Sequence, residues 1–300
     1  MNKASFWRGV VPAITTPFSE DGQVDHAFLS RHANWMMDAG CTGIVPLGSL
    51  GEGATLSFDE KLDIVRTLVD TLGDRAPVIP GIAALSTHEA VRLAQACERL
   101  GARGLMALPP YVYSSDRHEM EAHMRAVLSA TDLPVLFYNN PVAYKTDFVP
   151  EQIAELADAF PRMQAVKESS GDVRRFAALR ALLGDRLELM VGIDDALVEG
   201  VSMGAVGWIA GAVNAFPAES VSLFEAARAR GADAAMELYA WMLPLLRMDT
   251  VPKFVQLIKL MQARVGMGSE RVRAPRLVVE GDERRQALDV IDRAIAARPA

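Results

Sequence analysis

The sequence predicts a (β/α)₈ barrel, an α/β fold in which eight parallel strands are ringed by helices. Three observations carry this expectation. Short apolar runs rich in Val, Ile and Leu alternate with longer amphipathic stretches eight times. Several runs are continuously apolar, as strands buried on both faces require. The chain has 300 residues, 50% hydrophobic and 23% charged, which suffices for one barrel with a large core. An open doubly wound sheet is the alternative; eight strand–helix units match a closed barrel better.

The strands are expected at residues 10–14, 43–47, 78–82, 104–108, 135–138, 164–167, 187–191 and 207–210. The helices between them fall at 25–39, 57–72, 87–100, 116–130, 150–159, 173–183, 196–203 and 217–229. Asp25 and Thr87 stand where N-caps belong. Gly40, Gly101 and Gly204 follow helix patterns where a left-handed residue closes the last turn. After residue 229 the strand pattern stops, and three helical patterns follow at 232–247, 252–265 and 282–297. The expected organisation is a barrel over 1–229 and a C-terminal three-helix extension over 230–300, packed on the barrel rather than independent.

The formal net charge of -7 argues against nucleic acid or an anionic membrane surface as partner. Cys41 and Cys97 are too few for a disulfide framework and read as small buried hydrophobes, which fits a reducing compartment. The first residues carry no apolar run of signal length, and no segment has the apolar length of a membrane span. A cytoplasmic protein is the expectation. His26, His32, His88, His118 and His123 lie away from strand ends and no pair has zinc-helix spacing, so neither a metal nor another cofactor is expected.

In a barrel of this kind the active site gathers at the carboxyl ends of the strands. Four such places carry polar residues. The second strand runs into PLGSLGEGATL, whose Gly-rich turn at Gly48, Ser49 and Leu50 can offer consecutive N–H groups to an anion, or can be an ordinary tight turn. It has neither Walker nor dinucleotide glycine spacing. The fifth strand ends in LFYNNP, with Tyr138 at the barrel mouth. The sixth reads MQAVKESSGD. Lys167 directly follows its apolar stretch, where the cost of desolvating a cation should lower its pKa and yield a nucleophilic amine; pairing with Glu168 on the rim is the alternative. The seventh ends in MVGIDDAL, whose Asp194 and Asp195 can bind substrate hydroxyls or cap the next helix.

Together these motifs resemble the N-acetylneuraminate lyase/dihydrodipicolinate synthase family of class I pyruvate-type lyases. The resemblance covers nearly the whole chain, through GVVPAITTPF, GSLGE, PPY, YNNP, KESSGD and GIDDAL in that order. It implies a barrel with a helical C-terminal part, a homotetramer built as a dimer of dimers, and a small 2-oxo acid as substrate. It further implies that Lys167 forms the Schiff base and Tyr138 moves the proton. The substrate carboxylate would sit on the N–H groups of Ser49 and Leu50, helped by the Ser49 hydroxyl, while the carbonyl of Ile209 would orient the phenol or the amine.

Four departures from the family pattern bear on the substrate. Leu50 stands where a second hydroxyl residue usually follows Ser49, and Val112 stands where a relay tyrosine usually lies. Ala143 takes the place of the arginine that binds a second substrate's carboxylate in the synthases, with Lys145 near but out of register. Gly211 replaces a substrate-binding serine of the sialic acid lyases. The pattern suggests a deaminase or dehydratase, with pyrroline-4-hydroxy-2-carboxylate or a 2-oxo-3-deoxy acid as substrate. A pyruvate-dependent aldolase and a barrel that binds 2-oxo acids without turnover are the alternatives.

Overall fold

The structure is a computed structural model that describes residues 6–109 and 116–299. Seven parallel strands form one curled sheet in the order β1, β7, β6, β5, β4, β3, β2. They are β1 (Gly9–Pro12), β2 (Gly81–Ile82), β3 (Leu105–Ala107), β4 (Val135–Asn139), β5 (Met163–Glu168), β6 (Glu188–Val191) and β7 (Gly207–Ala210). Residues 44 and 45 join the two edges. Ala13 bridges Val45, and Ile44 bridges Val78, both parallel. Ile14 N–H donates to Val45 O at 3.0 Å and Ile79 N–H to Ile44 O at 2.9 Å. The expected second strand thus closes the barrel through bridges rather than a long ladder.

One residue from each of the eight positions fills the interior: Val11, Val45, Ile79, Met106, Leu136, Ala165, Met190 and Ile209. This inner layer is separate from the larger core between strands and helices. Trp7 plugs the amino-terminal end, where its indole donates to Gln164 Oε1 at 3.2 Å. A side chain on Gly104 would lie 2.8 Å from that indole, so the plug needs glycine there.

The outer helices are His26–Asp38, Phe58–Leu72, Thr87–Arg99, Arg117–Leu128, Pro150–Ala159, Arg174–Leu183, Leu197–Ser202 and Pro217–Arg230. Asp25 caps the first by accepting from Phe28 N–H. The third is capped by Ser86 and not by Thr87, because Ser86 has the extended backbone a cap needs and accepts from Glu89 N–H. Gly40, Gly101 and Gly204 all have positive φ, as the helix-end reading requires. Cys41 and Cys97 are buried, and burial pushes both thiols up to about 12.

Beyond residue 230 come helices Ala232–Leu246, Phe254–Arg264 and Gly281–Ala296. The middle one is buried along nearly its whole length, from Val255 to Gln262. Two polar junctions join it to the barrel. Lys259 Nζ donates to Glu52 Oε1 at 2.6 Å with both side chains buried. Gln262 Oε1 accepts from Thr15 Oγ1 at 2.8 Å, beside His32. No helix among the described residues is long and apolar enough to cross a membrane.

Candidate active site

Strand geometry brings Lys167 and Tyr138 together. Side chains alternate along a strand, so two residues beyond Leu136 and Ala165 the chain again faces the barrel axis. Those residues are Tyr138 and Lys167, and the β4–β5 register makes them direct neighbours. Both are buried, and the lysine Nζ lies 4.3 Å from the centroid of the tyrosine ring. The phenol accepts from Asn140 Nδ2 at 2.8 Å.

Glu168 points the other way. It accepts from Ser170 N–H at 2.6 Å and Asn139 Nδ2 at 3.2 Å, with Arg175 at 3.9 Å, and burial pushes its carboxyl up. Rim pairing between Lys167 and Glu168 is therefore not what the strand allows. Among the described residues no carboxylate lies in salt-bridge range of Lys167. Its stem occupies space left by Gly192, where a Cβ would come within 2.6 Å of Lys167 Cγ and 2.7 Å of Cε.

The Gly-rich turn borders the same cavity with Gly48, Ser49 and Leu50. It is tightly wound. Leu47 and Glu52 both take left-handed backbone, with φ of 66° and 54°, and a Cβ on Gly53 would lie 2.1 Å from Leu47 O. Glu52 N–H returns to Ser49 O and Gly53 N–H to Gly48 O, whereas the N–H groups of Ser49 and Leu50 donate to no described acceptor. Two adjacent free amides suit a carboxylate. The Ser49 hydroxyl is hydrogen-bonded to the phenol of Tyr144.

The cavity measures about 470 Å³. Besides the lysine, the tyrosine and the turn, it is bordered by Ile209, Ala143 and Gly211. Asp194 does not border it. Its buried carboxylate accepts from Trp208 Nε1 at 3.0 Å, Gly211 N–H at 3.1 Å and Ala212 N–H at 2.8 Å. Burial pushes it up to about 6, against those donors and Lys167. The geometry gives Asp194 the work of fixing the loop after β7 rather than touching substrate. Lys145 turns away, its Nζ donating to Val142 O at 3.0 Å. Val112 lies outside the described residues.

Further side chains border the cavity that strand-end reading did not single out, among them Tyr144, Ser169, Asp249 and Arg276. Tyr144 sits on the one-turn helix Pro141–Tyr144, edge-on to Tyr138 with ring centroids 5.9 Å apart. Its signal was the Asn-Pro pair, a turn start that also opens a helix: Asn140 caps it by accepting from Ala143 N–H at 3.0 Å. A second phenol thus reaches the cavity, from the segment after β4. Ser169 follows β5 in the KESSGD run. Asp249 and Arg276 come from the extension, far along the chain, and no local pattern announces them.

The dihydrodipicolinate synthetase family profile matches residues 6–294. The chain belongs to this family. It is 32% identical over 271 residues to the 4-hydroxy-tetrahydrodipicolinate synthase of Rhizobium meliloti, covering 90% of this chain and 92% of that protein. It is 31% identical over 273 residues to the Mesorhizobium japonicum enzyme of the same name, covering 91% and 93%. Among solved structures, dihydrodipicolinate synthase from Aquifex aeolicus superimposes with a TM-score of 0.91 at 26% identity, covering 95% of this chain and 97% of that one. A prophage protein of the dihydrodipicolinic acid synthase family from Escherichia coli K12, in complex with pyruvate, gives 0.91 at 25% identity, covering 97% and 99%. As a member of the dihydrodipicolinate synthetase family the chain is a class I lyase, and a barrel that merely binds its ligand is set aside.

Proposed function

We propose that this lyase holds a small 2-oxo acid, or a related cyclic imine acid, as a Schiff base on Lys167 and eliminates from it. Pyrroline-4-hydroxy-2-carboxylate is the favoured substrate, with a 2-oxo-3-deoxy acid as the dehydratase variant. The observation that carries the reading is the buried Lys167 amine over the Tyr138 ring, with no carboxylate in salt-bridge range among the described residues. The substrate carboxylate meets the Ser49 and Leu50 amides. Lys167 Nζ adds at C2, and loss of water, or of the ring nitrogen from a cyclic imine, leaves a protonated Schiff base. That electron sink acidifies C3. Tyr138 carries the C3 proton toward the oxygen on C4 as the C4–O bond breaks and water departs. From the cyclic substrate, the resulting C3=C4 double bond shifts to C4=C5 as a proton leaves C5 and one returns to C3, so the freed amine on C5 becomes an enamine and then its imine tautomer, whose hydrolysis releases ammonia. Leu50, Met106 and Ile209 give the unsubstituted carbons an apolar wall. We extend the proposal to a cytoplasmic homotetramer built as a dimer of dimers.

A pyruvate-dependent aldolase is the second reading, and two observations favour it. Tyr144 puts a phenol on Ser49, and Arg276 brings a guanidinium to a cavity whose Ala143 has none. A substrate panel separates the two: pyrroline-4-hydroxy-2-carboxylate, 2-oxo-3-deoxy sugar acids, 4-hydroxy-2-oxoglutarate, N-acetylneuraminate, and pyruvate with aspartate semialdehyde. Ammonia or 2-oxoglutarate semialdehyde at the highest kcat/KM supports elimination. Pyruvate as main product, or efficient condensation with the semialdehyde, establishes the aldolase instead.

A further inference from the structure

Two glycines end the strands beside Lys167, and each yields its place to a polar side chain. A Cβ on Gly192 would lie 2.0 Å from Ser169 Oγ, and a Cβ on Gly211 would lie 2.1 Å from Asp249 Oδ1. Asp249 closes the short turn Arg247–Asp249 of the C-terminal extension, which packs against the turn Asp194–Ala196 after β6. Its carboxyl borders the cavity that contains Lys167.

The two carboxyls on this wall differ. Asp194 accepts from three donors and is shut off from the cavity. Asp249 has no hydrogen-bond partner among the described residues and opens onto it. Ser169 Oγ is buried and likewise has no partner. Buried polar groups normally find partners, and leaving them unpaired costs free energy. A wall that presents one free carboxyl and one free hydroxyl beside the attachment point is built for a ligand with hydrogen-bonding groups of its own.

We propose that Asp249 is the specificity residue that recognises a hydroxyl on the carbons beyond C3, making the enzyme selective for hydroxylated 2-oxo acids. Burial and the neighbouring Asp194 raise its proton affinity, and Asp195 adds to this while Lys167 opposes it. A carboxyl held toward the protonated form donates as well as accepts, which a hydroxyl satisfies and an anionic group does not. The inference rests on Lys167 as the attachment point but not on which bond the enzyme breaks.

The test uses the full chain and two acids that differ by one hydroxyl, 2-oxobutyrate and 4-hydroxy-2-oxobutyrate. The readout is the concentration of each that half-saturates borohydride inactivation, with the adduct mapped to its lysine. Wild type should prefer the hydroxylated acid by roughly tenfold or more, the worth of a hydrogen bond to a carboxyl group. Asp249→Ala should remove most of that preference, and Asp249→Asn should keep part of it. Gly211→Ala, which forces the carboxyl aside, should also reduce it. Lys167 adducts with no hydroxyl preference in wild type, or an equal preference in Asp249→Ala and Gly211→Ala, overturn the role of Asp249 alone. No adduct on Lys167 with either acid overturns the attachment reading and this inference with it.

Discussion

The barrel mouth and the C-terminal extension border one cavity but are held by different physics. At the mouth, strand register does the positioning. Tyr138 and Lys167 are paired across a ladder, each two residues above an interior apolar side chain, and glycines clear the space they need. The extension has no ladder. It is fixed by apolar packing on the main core and by two buried polar junctions, Lys259 on Glu52 and Gln262 between Thr15 and His32, and it brings Asp249 and Arg276 to the cavity. On the proposed reading, the reacting groups stand on the strand ladder, while the groups that sort substrates stand on a part docked by apolar packing and by two buried polar junctions.

Variants on either side should behave differently. Tyr138→Phe removes the proposed proton carrier without disturbing the ladder, so the Schiff base should still form while turnover falls roughly 10²–10⁴-fold. Single-turnover kinetics beside borohydride trapping checks this; unchanged turnover would move the proton to another group.

Lys259→Met leaves Glu52 buried without its main counter-charge. Removing one partner of such a pair costs about 3–5 kcal/mol, readable in urea unfolding. Because Glu52 ends the Gly-rich turn proposed to hold the substrate carboxylate, KM should rise along with the loss of stability. A stable variant with unchanged KM would show that the junction does not govern the turn.

A smaller effect is expected at the second junction. His32 is wholly buried against Asn214 O, and burial pushes its imidazole down to about 4. The unfolded chain takes up the proton near 6.5 while the folded one does not. The stability is therefore complete above pH 6.5 and lost as pH falls toward 4, on the order of 3 kcal/mol over that window. His32→Asn should flatten the acid limb of the stability curve, whatever it does to the plateau. An equally steep limb would place the titration elsewhere.

What was legible in the sequence divides along the same line. Continuous apolar runs and end-of-helix glycines located most strands and helices within a residue or two, because a barrel repeats one local rule eight times; the third strand, expected at 78–82, forms a ladder only at Gly81–Ile82. The second strand was harder, since bridges at Ala13–Val45 and Ile44–Val78 replace a full ladder. Lys167, Tyr138, Ser49 and Leu50 were visible because strand ends put them at the mouth. Asp194 misled, since an acidic residue at a strand end can as well anchor the next loop. Asp249 and Arg276 left no local trace: their place depends on how helix Phe254–Arg264 docks, a long-range fact of apolar packing and of the Glu52–Lys259 pair. Nor was Tyr144 foreseen, because a one-turn helix is too short for periodicity to register.

The claim beneath all of this is that Lys167 is the nucleophile, and covalent trapping tests it most directly. The chain is incubated with pyruvate and borohydride, weighed intact, and peptide-mapped, beside Lys167→Ala. The account predicts one reduced ligand per chain, on Lys167, and none in the variant. An adduct on any other lysine, or an equal adduct in Lys167→Ala, would contradict it.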